Sequence, residues 1–89
     1  MAEVVASLRV LPAEADLNLE DVKEAIARSL PPQTRIHRVD EEPIAFGLKA
    51  LVVHVVLPEM EEGIMEKVEK AVRGAEGVGE VEVLMVRRF

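Results

Sequence analysis

Eighty-nine residues, 49% hydrophobic and 31% charged, supply one compact core and not two. A formal charge of −6 argues against the dense basic surface that nucleic-acid binding draws on, and the lack of cysteine removes disulfides, thiolate metal sites and thiol nucleophiles together. The longest apolar run falls far short of the ~20 residues of a membrane helix, and Met1-Ala2-Glu3 has no secretory character, so we expect one domain over residues 1–89, cytoplasmic, without membrane or direct nucleic-acid partner.

From Glu3 to Leu11 the chain alternates, with Val4, Ala6, Leu8 and Val10 on one side, which predicts a first strand that Pro12 ends. Asn18 then offers an N-cap, Glu20 and Asp21 an acidic first turn, and Leu17 a staple onto Val22. Leu19, Val22, Ile26 and Leu30 at helical spacing predict a first helix, closed by Pro31-Pro32.

Thr34 to Asp40 reads as a second strand, polar along much of its length as suits a sheet edge. Arg35, His37 and Arg38 gather positive charge there. Asp40-Glu41-Glu42 reads as solvated loop charge rather than a hard-cation site, and His37 and His54 lack any paired ligand spacing, so no metal is expected. A loop-like run, Glu41-Glu42-Pro43-Ile44-Ala45-Phe46-Gly47, follows. Leu48 to Leu57 is apolar on both faces, as a central strand would be. After Pro58, Glu59 to Glu62 form an acidic first turn, Ile64, Val68, Ala71 and Val72 the stripe of a second helix, and Gly74 its C′ residue. Gly74, Gly77 and Gly79 follow a helix and precede a strand, the reverse of the dinucleotide-binding order. Gly79 to Val86 is the last strand, with Val81, Val83 and Met85 on one face.

The order βαββαβ predicts an α+β, ferredoxin-like sandwich: a four-stranded antiparallel sheet, first and third strands central, both helices on one face. Val4, Ala6, Leu8, Val10, Val81, Val83 and Met85 are its expected helix-facing residues, under Ile26 and Val68. Hydroxyls are limited to Ser7, Ser29 and Thr34, none on a strained turn, so no catalytic nucleophile is assigned. RNA-recognition modules of this order stack bases on aromatics from the central strands, and these strands have none. Leu11-Pro12-Ala13-Glu14 supplies no acylphosphatase-type phosphate cradle. A small-molecule regulatory module of the same fold stays open as an alternative. The only aromatics are Phe46, in the loop-like run, and Phe89, after Arg87-Arg88; exposed rings and arginines in such places mark partner contacts.

Those segments carry a resemblance over the whole chain. Glu42-Pro43-Ile44-Ala45-Phe46-Gly47-Leu48, the opening Glu3-Val4-Val5-Ala6, Gly77-Val78-Gly79-Glu80-Val81-Glu82-Val83 and the ending Val86-Arg87-Arg88-Phe89 are similar to the archaeal elongation factor 1-beta family and to the C-terminal exchange domain of its eukaryotic counterparts. The resemblance implies a ferredoxin-like guanine nucleotide exchange factor for the GTPase elongation factor 1-alpha, acting without covalent chemistry, cofactor or metal of its own. It implies partner contacts through Pro43, Ile44, Phe46, Gly47, Arg87, Arg88 and Phe89, with Phe46 docking on the GTPase and Arg88 standing where eukaryotic relatives place a lysine that disturbs the magnesium site. Arginine is a planar fork where lysine is a point charge, a departure from that pattern.

Overall fold

Alternating side chains at the start of the chain form a ten-residue strand, and the remaining elements follow in the expected order. The computed structural model describes residues 2–45, 47–59 and 63–89: β1 (Glu3–Pro12), α1 (Leu19–Ser29), β2 (Arg35–Pro43), β3 (Lys49–Pro58), α2 (Ile64–Arg73) and β4 (Val78–Arg88). The strands make one antiparallel sheet in the order β2-β3-β1-β4. β1 and β3 are central, as the βαββαβ order implied and the apolar faces of β3 agreed.

Asn18 caps α1 as expected, its side-chain oxygen accepting from the Glu20 N–H at 2.9 Å. Ala6, Leu8 and Val10 of β1, Leu51, Val53, Val55 and Leu57 of β3, Val22 and Ile26 of α1, and Ile64, Val68 and Val72 of α2 form the core between sheet and helices. Each Val, Leu or Ile among them, buried fully, contributes about 1.5–3 kcal/mol of transfer free energy. Both helices cover the same face. The other face is open, yet Val5, Ala50, Val52 and Val56 on it are buried too. Long side chains crossing that face account for this. Arg9 of β1 reaches Glu82 on neighbouring β4 at 2.8 Å and Glu42 on β2 at 2.9 Å, passing over β3 between.

Three expectations need correction. Glu41, Glu42 and Pro43 belong to β2, paired with Leu51, Ala50 and Lys49, so the loop is shorter than the sequence suggested. Their charges are not solvated loop charge: Asp40 meets Arg38 and His54, Glu41 meets Lys49 and Lys23, and Glu42 meets Arg9. Second, Met85 faces away from the helices. The β1–β4 register shifts between Ser7 and Leu8, which pair with Met85 and Val83, leaving Leu84 as an extra, bulged residue; beyond it the faces exchange. Val83 stays on the helix side but is exposed near the sheet edge. Third, Gly74 caps α2 in a right-handed conformation, and the positive φ comes at Gly77. The acidic turn expected over Glu59 to Glu62 falls largely outside the described residues.

Gly79 is required by packing. A Cβ there would lie 2.9 Å from the Ala13 Cα and 3.0 Å from the Pro12 carbonyl oxygen, where β4 closes against the end of β1 and the Ala13 N–H donates to the Gly77 carbonyl at 2.8 Å. The glycine spacing serves this close approach.

Candidate partner interface

The expected contact residues divide between the two ends of the sheet. At one end, β2 and β3 are joined by a turn in which the Ile44 N–H donates to the Leu48 carbonyl at 2.9 Å and the Leu48 N–H to the Ala45 carbonyl at 3.1 Å. Gly47 in this turn has φ 76°, a conformation that side chains resist and glycine adopts freely. Pro43 is the last residue of β2, where a missing N–H costs the ladder little. Ile44 and Leu48 leave 42% and 38% of their surface exposed and border a hollow of about 400 Å³ against Leu11, Pro12, Leu17 and Leu19. Phe46, the expected anchor, lies outside the described residues.

At the other end, β4 carries Arg87 opposite Val5 on the open face and Arg88 opposite Val4 on the helix face. The Arg88 side chain is 82% exposed, with its nearest acid, Glu59, at 3.7 Å. Phe89 continues the pairing, its N–H donating to the Glu3 carbonyl at 3.0 Å, and its ring lies on the open face. There it meets the His37 ring edge-on at 4.9 Å between centroids and 81° between planes, with the Arg35 guanidinium 5.7 Å from its centre. Arg35 is itself held by both carboxylate oxygens of Glu3, at 3.0 and 3.4 Å. The ring is thus fixed by an edge contact and a cation yet keeps 56% of its surface exposed.

Structure brings Arg87 and Phe89 together with Arg35 and His37. It does not bring them near Pro43, Ile44 and Gly47: the ten residues of β1 separate the two groups by about 30 Å. The contribution of Arg35 and His37 was missed, although their positive charge was visible; nothing local links position 37 to position 89.

Between the ends, the Ser7 Oγ lies 2.8 Å from His54 Nδ1, and His54 Nε2 lies 3.2 Å from Asp40 Oδ2, a serine–imidazole–carboxylate chain. It is not a hydrolytic arrangement. Ser7 is 8% exposed in the middle of a strand paired on both sides, which leaves no approach for a substrate carbonyl. The chain instead satisfies the buried Ser7 hydroxyl through the partly buried His54, and Arg38, donating to Asp40 at 2.9 Å, holds that carboxyl below the usual aspartate range, with His54 adding to the effect.

The sequence matches the EF-1 guanine nucleotide exchange domain over residues 5–89. It is 47% identical over 89 residues to "Elongation factor 1-beta" of Methanothermobacter thermautotrophicus, covering all of this chain and 99% of that protein, and equally so to that of Staphylothermus marinus. The protein of the same name from Sulfolobus acidocaldarius is 41% identical over 87 residues, 98% of this chain and 97% of its own length. Among solved structures, the ACT domain from GTP pyrophosphokinase of Chlorobium tepidum superposes with a TM-score of 0.60 at 17% identity, covering 92% of this chain and 99% of that one. The C-terminal domain of the MgtC protein from Mycobacterium tuberculosis gives 0.57 at 10%, over 99% and 88% of the two chains. These two likenesses concern the ferredoxin-like fold.

Proposed function

The chain belongs to the EF-1 guanine nucleotide exchange domain family, and from that premise we propose that it grips elongation factor 1-alpha at two separate places, the turn around residues 44–48 and the strand end at residues 87–89, promoting GDP release and GTP reloading during translation elongation. It is an exchange factor rather than an enzyme. A protein of this kind binds the empty GTPase more tightly than the nucleotide-bound one, and linkage then requires it to weaken nucleotide affinity by the same factor. No bond is made or broken.

One observation supports the two-point reading above others: a ring held rigid but more than half exposed at residue 89, with exposed arginines at 87 and 88, stands about 30 Å from the turn that carries Phe46. The hollow beside Ile44 and Leu48 extends the turn's contact as an apolar surface. Arg88 is the cation set toward the GTPase's magnesium site, where its charge competes with the metal or engages the metal's ligands. Partner contact is protein to protein in the cytoplasm, without direct nucleic-acid contact, in keeping with a charge of −6.

Release of a fluorescent GDP from the host's elongation factor 1-alpha tests this directly. Wild-type protein at saturating concentration accelerates release, and Phe46→Ala and Arg88→Ala each slow the accelerated rate. Unchanged dissociation with wild-type protein present would end the functional reading, and full activity in both variants would end the site assignment.

A further inference from the structure

Next to residue 89 the open sheet face holds a hollow of about 300 Å³, bordered by the strand-end residues together with side chains of β2 and β3. Its floor is Val5, buried, and its walls are His37, Arg38, His54, Arg87, Arg88 and Phe89. Asp40 also borders it, but that carboxylate is occupied by Arg38 at 2.9 Å and His54 at 3.2 Å. Arg87 has no ion-pair partner among the described residues. In a protein of net charge −6, the guanidiniums of Arg38, Arg87 and Arg88 around one bordering carboxylate, Asp40, make a local excess of positive charge.

We infer that this groove receives an acidic side chain, Asp or Glu, of the GTPase, as the seat of the strand-end contact. The inference rests on the exchange reading and names the chemistry of the surface gripped. A planar guanidinium matches a carboxylate in two parallel hydrogen bonds, the Phe89 ring gives the entering methylenes an apolar wall, and the volume sits at the small end of pockets that enclose a ligand group. A nucleotide phosphate chain is the rival anion. Several negative charges would meet the overall acidity of the chain and the Asp40 carboxylate on the rim, whereas one carboxylate on a folded partner meets the local cations.

The test is affinity for nucleotide-free elongation factor 1-alpha, measured for wild type, Arg38→Glu, and Arg28→Glu on α1 as a control on the opposite face. Arg38→Glu weakens binding by about tenfold or more, and Arg28→Glu changes it by less than about twofold. His37→Ala, which removes one wall of the groove and the edge contact that steadies Phe89 without reversing a charge, weakens binding by about threefold and guards against a folding defect in the charge reversal. If Arg38→Glu and His37→Ala both bind like wild type while wild type still accelerates GDP release, the groove is not a contact and the exchange reading stands alone. If wild type fails to accelerate release, both fall. Saturable shifts of the His37 and His54 imidazole resonances with inorganic phosphate, combined with unaltered GTPase binding by Arg38→Glu, would make the groove a phosphate site and overturn the inference.

Discussion

Phe89 separates stability from function within one side chain. With 56% of its surface exposed, its ring contributes less to the fold than a core residue does, and its cation contact at an exposed site carries about 0.5–1 kcal/mol. We expect Phe89→Ala to lower unfolding free energy by about 1 kcal/mol or less while weakening the complex with the empty GTPase by about 2 kcal/mol, roughly thirtyfold. Urea unfolding and equilibrium binding measure the two. A variant that loses stability and keeps its affinity would show the ring to be a sheet cover. Asp40 gives a prediction with a sign. Its carboxyl is held below the usual range, chiefly by the Arg38 hydrogen bond, so it binds a proton less readily folded than unfolded. Its contribution is therefore complete above the unfolded aspartate value and is lost as pH falls through the lowered one. Asp40→Asn should make the acid end of the stability curve shallower, read from thermal midpoints between neutral pH and the acid limit.

At the scale of elements, the sequence was most legible where one periodicity governed a whole segment. The alternation of Val4, Ala6, Leu8 and Val10 placed β1, and apolar residues on both faces placed β3 at the sheet centre, because burial dictates both patterns. It was least legible where a contact from elsewhere decided the outcome. Glu41 and Glu42 look like loop residues until Lys23, Lys49 and Arg9 are brought opposite them, and those partners lie on other elements. The alternation of β4 misled at Met85 because a bulge changes the count without changing composition. Likewise the turn was visible as a Pro and Gly segment, whereas the seat of Phe89 on Arg35 and His37 required the sheet order. Gly79 tests the junction of β1 and β4. Gly79→Ala places a methyl 2.9–3.0 Å from backbone that cannot step aside, and we expect a loss of about 1–3 kcal/mol in urea unfolding with little change in the affinity of the folded fraction.

For the whole molecule, the distance between contacts matters more than either contact. The structure extends 42 Å along its longest axis, and the central strand that joins the two ends is rigidly paired on both sides. Groups about 30 Å apart that touch no common residue contribute independently, so Ile44→Ala and Phe89→Ala should add in binding free energy to within about 0.5 kcal/mol. A double-mutant cycle against the nucleotide-free GTPase measures this. Strong coupling between the two would mean that the ends act as one site, contrary to the rigid separation proposed.

Leu84 carries a last consequence. It is a surplus residue of β4, unmatched in the β1 ladder and 40% exposed, and the pairing of Ser7 with Met85 and Val5 with Arg87 resumes beyond it. The strand therefore holds one residue of slack between its fold-making half and its working tip. Excising Leu84 should only draw the ladder straight, leaving the ring on its seat and exchange intact, although an apolar residue has been cut from the middle of a strand.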